Sequence, residues 1–133
     1  MHADEKRQNR MTAFSLRRLL RSFVFAFQGA KALLRTQPNA WIHAGATGAV
    51  IIGGAICRVS KHEWAMLVFA IALVWMAEAL NTAIEFLADE VSEERRERIG
   101  KAKDVGAFGV LVSAIAAAVI GVVVFLPHIL EAK

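Results

Sequence analysis

Glu78, Asn81, Glu85 and Asp89 stand three, four and four residues apart. On a helix turning about 100° per residue, their side chains fall in one narrow stripe. The roughly four turns before them are wholly apolar, WAMLVFAIALVWMA from Trp64 to Ala77. A carboxylate turned towards lipid is costly, so the stripe must face protein or a wet cavity. Three carboxylates and an amide on one face of a membrane helix mark a functional site by default. The plainer reading is a polar ladder holding helices together. It suits Asn81 and Asp89 better than Glu78, which lies deepest and has no neutralising neighbour in sequence.

A second group of charges follows. Gly100-Lys101-Ala102-Lys103-Asp104 leads straight into an uncharged segment. A lysine at a membrane boundary can simply snorkel to water, and that is the reading for Lys101. Lys103, next to Asp104 and following an acidic stripe, joins a cation and a carboxylate where a nucleotide and its metal could be held. There is no Walker A motif and no glycine-rich kinase loop, so the soluble kinase folds are excluded as templates.

The elements that must position these residues are apolar. Of 133 residues, 56% are hydrophobic, and the charged 21% gather near residues 1–35, 58–63 and 89–104. Soluble domains interleave charge with apolar residues; segregation points to a bilayer. The expected fold is an all-α membrane protein of one domain, with spans at about Trp41–Cys57, Trp64–Ala88 and Val105–Leu126, the last ended by Pro127. Before them, Phe14, Leu16, Leu19, Leu20, Phe23, Val24 and Phe27 recur at helical spacing among Arg17, Arg18, Arg21 and Lys31. That pattern predicts an amphipathic surface helix over residues 14–35 on the inner leaflet, ended by Thr36-Gln37-Pro38-Asn39. Residues 1–13 are polar and are expected to form a disordered tail.

Basic residues set the orientation. Eight Lys and Arg precede Pro38, five lie between the second and third spans, and only Arg58 and Lys61 lie between the first and second. The N-terminus and the loop 89–104 are therefore expected in the cytoplasm and the C-terminus outside. The net charge of +4 is read as attraction to anionic lipid; no nucleic-acid-binding motif is present. Cys57 is the sole cysteine and forms no disulfide framework. Trp41 and Trp64 are read as an aromatic belt, Trp75 as packed within the bundle, and Gly106, Gly109 and Ser113 as a small-residue packing face.

The segment AEALNTAIEFLADEVSEERRERIGKAKDVGA resembles the signature of the prokaryotic diacylglycerol kinase family, small membrane enzymes that include undecaprenol kinase. The pattern E-x-x-N-T-A-I-E, then Asp, then A-K-D, stands here as Glu78 to Glu85, Asp89 and Ala102-Lys103-Asp104, and the resemblance runs from about Arg18 to Phe125. It implies an integral membrane lipid kinase over residues 14–133 of a homotrimeric bundle, with active sites shared between subunits, in the bacterial inner membrane. The reaction implied is transfer of the γ-phosphate of ATP, with Mg²⁺, to a lipid alcohol in phospholipid or isoprenoid-lipid recycling. By the resemblance Glu78 is the catalytic base, Asn81 an active-site amide, and Glu85 a metal ligand lying against ATP. Lys103 and Asp104 match nucleotide-contacting positions, with Lys103 neutralising phosphate. Glu94, Arg95, Arg96, Arg18 and Phe25 fall at further nucleotide contacts.

The sequence departs from the family at Gln37, where a second metal-binding glutamate is common; an amide oxygen is the weaker ligand for Mg²⁺. Arg95 and Arg96 replace a frequent aromatic and histidine, and Phe25 replaces a frequent tyrosine. The context Trp41-Ile42-His43 looks more like the undecaprenol branch than the diacylglycerol branch, which often has an acid there. Trp41 and His43 are accordingly candidate lipid contacts. A different class of function, a small oligomeric transporter using Glu78 and Glu85 as a proton relay, fits less well, because the first and third spans are apolar throughout.

Overall fold

A computed structural model of the chain describes residues 16–91 and 96–131. These form four helices and no strand: α1 Leu16–Thr36, α2 Pro38–Ile56, α3 Lys61–Val91 and α4 Glu97–Glu131. The expected tail 1–13, Glu94 and Arg95 lie outside the described residues. Contacts divide the chain into two units, one ending at Ala32 and the other beginning at Leu33.

In the first unit, α1 exposes Leu16, Leu19, Leu20, Phe23, Val24, Phe25 and Phe27. The Arg21 guanidinium lies 5.6 Å from the centre of the Phe25 ring, a cation–π contact one turn along the helix.

The second unit is built mainly from α3 packed along α4, with α2 against both. Gln37 is extended (φ −110°, ψ 110°) between two helices, as a residue preceding proline should be, and Pro38 starts α2 where its missing N–H costs nothing. At the other end the Arg58 N–H donates to the Ala55 carbonyl and the Val59 N–H to the Gly54 carbonyl. That is a Schellman motif, with Arg58 left-handed at φ 52° and Val59 buried behind it. Ser60 and Glu63 then cap α3 reciprocally: the Ser60 N–H donates to the Glu63 carboxylate (2.6 Å) and the Glu63 N–H to the Ser60 hydroxyl (3.3 Å). The Ser60 backbone and hydroxyl donors, with His128, hold the Glu63 carboxyl down from its ordinary 4.5 to about 2. A lowered carboxyl favours the folded state above the ordinary value, so the cap's contribution is complete above about 4.5 and fades as pH falls towards about 2.

A small apolar cluster of Val59, Leu67 and Val124 sits at this end, with Trp64, Ile120 and Phe125 against it. A Cβ on Gly54 would lie 2.8 Å from the Trp64 ring, so glycine permits the close approach. Trp64 thus packs into this cluster instead of serving only as part of an interfacial belt. Pro127 does not end the last helix, contrary to expectation: α4 continues to Glu131. Proline removes one backbone donor, and continuing the helix carries His128 to Glu63 on α3, at 3.0 Å.

Among the described residues, α3 and α4 are long and apolar enough to cross a membrane; in their most apolar stretches only 33% and 11% of residues are buried. Core helices of a soluble protein would be mostly buried, so these faces need another apolar partner. Helix α2 does not meet the same measure, because Pro38, Asn39, His43 and four glycines dilute its 19 residues.

Arg58 bears the steric cost of a left-handed residue, about 1 kcal/mol or more. Arg58→Gly is expected to stabilise the detergent-solubilised protein by about 1 kcal/mol, less the added chain entropy of glycine, and to raise its melting temperature. An unchanged or lower temperature would show that the arginine side chain contributes as much as the strain costs.

Candidate active site

The polar stripe lies in the second half of α3, where it faces α2, its preceding turn and α4. Glu78 is 1% exposed and Asn81 8%, while Glu85 is half-buried and Asp89 exposed. The four residues therefore sample surroundings from dry to wet along one helix.

Glu85 is the centre of the arrangement. The Asn81 amide, one turn earlier, donates to its Oε1 at 3.0 Å. The Gln37 amide, brought in by the extended turn before α2, donates to its Oε2 at 2.8 Å. With both amide nitrogens turned towards the carboxylate, the Asn81 Oδ1 is buried without a hydrogen-bond partner. A Cβ on Gly106 would stand 2.5 Å from that oxygen, so the glycine of α4 leaves Asn81 its space. The expected small-residue face holds at Gly106 and at buried Ser113, but Gly109 has nothing close to it.

Around Glu78 the partner comes from α2. His43 Nε2 lies 3.6 Å from Glu78 Oε2, with side chains 15% and 2% exposed. Trp75 meets the His43 ring edge-on at 6.4 Å and donates its indole N–H to Thr47 at 3.0 Å. His43 Nε2 and the Thr82 hydroxyl, like Asn81 Oδ1, are buried polar atoms without a hydrogen-bond partner. Buried polar atoms are usually paired, so three orphans beside two carboxylates mark a place built to receive another polar group.

At the wet end the Lys103 ammonium donates to Asp89 at 2.8 Å. That hydrogen bond, and the charges of Asp89 and Glu85, raise the lysine above its ordinary value against a smaller opposing desolvation. Its partner is Asp89, on the preceding helix, and the neighbouring Asp104 is exposed. Lys101 forms a fully surface pair with Glu97 at 2.6 Å. Arg96 is exposed just before α4. Trp41 is exposed and donates to the Leu34 carbonyl at 3.0 Å. Arg18 and Phe25 belong to the first unit, where both are exposed. Among the described residues no three acidic, histidine or cysteine side chains converge as a metal cluster.

Comparison with known proteins gives the class. The family described as prokaryotic diacylglycerol kinase matches residues 24–125. Undecaprenol kinase of Bacillus subtilis is 36% identical over 114 residues, spanning 86% of this chain and 93% of that protein. A diacylglycerol kinase of Synechocystis is also 36% identical over 114 residues, 85% of this chain and 65% of its own length. Diacylglycerol kinase of Escherichia coli K12 is 29% identical over 127 residues, with 90% and 97% covered. The chain belongs to the prokaryotic diacylglycerol kinase family. It is a membrane lipid kinase, and the proton-relay transporter reading is set aside. Helix α3 and its ladder lie inside the matched segment, whereas Arg18 precedes it.

Gly106→Ala isolates the role of the Asn81 pocket. Overpacking of this kind costs about 1–3 kcal/mol, and a displacement of about 1 Å at a reacting group can cost on the order of a hundredfold in rate. The variant is expected to stay folded with a modestly lower melting temperature and to lose at least about tenfold in turnover. Full activity at wild-type stability would mean that Asn81 moves aside freely.

Proposed function

We propose that this chain transfers the γ-phosphate of ATP to the hydroxyl of a membrane polyprenol, with undecaprenol as the preferred acceptor and diacylglycerol as the second choice. The observation that carries the site assignment is the set of orphaned buried polar atoms lying beside Glu78 and Glu85. The choice of lipid rests on His43 beside Glu78, together with likeness to the B. subtilis enzyme over nearly all of its length.

Glu78 is assigned as the base: buried from bulk water, it takes the proton of the lipid hydroxyl as the oxygen attacks phosphorus. Phosphoryl transfer needs little covalent help, so placement and charge compensation carry the remainder. Lys103 balances phosphate charge at the wet end, with Asp104, Glu94, Arg95, Arg96, Arg18 and Phe25 as further nucleotide contacts. Mg²⁺ suits this donor set, since such ions bind through one or two carboxylates plus substrate phosphates and not through a closed protein cage. Glu85 would hold it, the orphaned Asn81 oxygen lies close at hand, and Gln37 steadies the carboxylate. Bound there, the ion would offset charge on the phosphate oxygens. Trp41 and His43 would contact the lipid.

The setting we infer is a bacterial inner membrane. Residues 14–133 form the kinase domain, with α1 lying on the cytoplasmic leaflet. Three spans place the N-terminus and loop 89–104 in the cytoplasm and the C-terminus outside. The unburied apolar faces of α3 and α4 support a homotrimer with sites shared between neighbours. Helix α3, with 31 residues, is about 46 Å long against a hydrocarbon core of about 30 Å. One helix can therefore reach from the core into the cytoplasmic interface, where a lipid hydroxyl and ATP can meet.

Purified protein given ATP with undecaprenol or diacylglycerol in matched micelles tests the reaction. The polyprenol is expected to turn over faster, and Glu78→Gln to lower the rate at least about a hundredfold while the oligomer stays assembled. Near-normal turnover in Glu78→Gln would remove Glu78 from the base role; faster phosphorylation of diacylglycerol would reverse the lipid assignment.

Metal use provides a separate check. Gln37→Glu adds a carboxylate beside Glu85, so half-maximal rate should need less Mg²⁺, whereas Glu85→Gln should need far more or be inactive. No shift for Gln37→Glu, alongside a large loss for Glu94→Gln, would move the second ligand to Glu94.

A further inference from the structure

His43 is not part of the acidic stripe, yet it is the side chain that meets Glu78. Its Nε2 lies 3.6 Å from Glu78 Oε2, just beyond hydrogen-bond length, and that nitrogen has no hydrogen-bond partner. The ring is not free to turn away, because Trp75 stands edge-on against it and is itself tied to Thr47. His43 also lines a cavity of about 290 Å³ between α2, α3 and α4. The rest of that lining is apolar except for Thr47, with Val50, Leu67 and Val74 among its walls. The residues that α4 contributes to the cavity, Ala114, Ala117, Ala118, Gly121 and Phe125, are uncharged, and Glu78 is the ionisable group that lies against the imidazole.

We propose that His43 is a positioning residue for the kinase reaction, accepting a hydrogen bond from Glu78 once that carboxyl has taken the substrate's proton. The inference rests on the assignment of Glu78 as base. The step balances as follows. The lipid O–H bond breaks and its proton passes to a Glu78 oxygen. The freed electron pair forms the new O–P bond, and the bond from the γ-phosphorus to the bridging oxygen breaks with its pair leaving on ADP. Glu78 has then become a neutral acid in a poorly hydrated place, with a donor that needs an acceptor. An imidazole carrying its proton on Nδ1 would present Nε2, 3.6 Å away, as that acceptor, and a small closing movement would make the bond. The proton returns to water with product release.

A histidine that only fills space, or only touches the lipid, behaves differently in kinetics. His43→Leu keeps bulk and removes the acceptor; His43→Gln places an amide oxygen near the former Nε2. Both would be measured for kcat, for KM of ATP and of lipid, and for oligomer assembly, alone and combined with Glu78→Gln. The expected pattern is a fall in kcat of at least about tenfold for His43→Leu with KM of ATP unchanged, and partial recovery for His43→Gln. In the Glu78→Gln background His43→Leu should cause no further loss, because a residue acting through another has nothing left to act on. A raised lipid KM at unchanged kcat would overturn the proposal in favour of a headgroup contact. Equal losses for Leu and Gln with a dissociated oligomer would overturn it in favour of packing. If Glu78→Gln itself stays active, the base assignment fails; if it is inactive and His43→Leu keeps the wild-type kcat, this inference fails alone.

Discussion

A carboxylate set among apolar residues must be given partners, and the second half of α3 is arranged around that requirement. Glu85 receives an amide donor on each oxygen, one from its own helix and one from the turn before α2. Those two bonds place Gln37, and with it the start of α2, against α3. They also turn the Asn81 carbonyl oxygen towards α4, where only glycine at position 106 leaves room for it. One half-buried carboxylate thereby relates three helices. Glu78 is buried with His43 nearest it, at 3.6 Å and without a hydrogen bond, and exposed Asp89 pairs with Lys103.

The opposite end of the unit is held by different means. There the Schellman turn at Arg58, the reciprocal Ser60–Glu63 cap and the Glu63–His128 contact join all three helices around a small apolar cluster. Little of this end is chemically poised: its polar groups are mutually satisfied, whereas the orphaned atoms gather at the other end. A structure that separates closed from open polar groups in this way can keep its helices in register while leaving its reactive end ready for a substrate.

The acidic stripe was legible from residue spacing, because helical periodicity puts Glu78, Asn81, Glu85 and Asp89 on one face whatever packs against them. The extended break at Gln37 was legible too, since the constraint imposed by Pro38 is local. What spacing could not show were contacts between distant segments: the Gln37 amide reaching Glu85, 48 residues on, and Lys103 choosing Asp89 over its neighbour Asp104. Two local signals are read differently once the structure is in view. Ser60-x-x-Glu63 is a capping-box pattern, and Pro127 was given more weight as a terminator than one missing hydrogen bond deserves when a tertiary contact lies just beyond it. Helix α2, expected as a third span, is uncharged but less apolar than α3 and α4, because its glycines, proline and histidine lower its hydropathy without adding charge.

Phosphorylating a lipid poses a conflict that a soluble kinase does not meet. The hydroxyl is anchored near hydrocarbon, where charge is expensive, while the nucleotide carries several charges that need water and a counter-ion. A single helix crossing the boundary can satisfy both if its polar residues change character along its length. From Glu78 to Asp89 is eleven steps, about 16 Å of rise. Over that distance exposure goes from 1% at Glu78 to 69% for the Asp89 side chain. In the proposed reaction the base sits at the dry end, where few waters compete for the proton. The metal ligand sits midway, and the ion pair that meets phosphate sits in water. The order cannot be reversed: a lysine at the depth of Glu78 would have to lose its hydration or its charge, and a base at the position of Asp89 would take protons from solvent as readily as from lipid. The three-and-four spacing of the ladder is thus a chemical ordering as well as a helical one, with depth in the membrane deciding which residue takes which part.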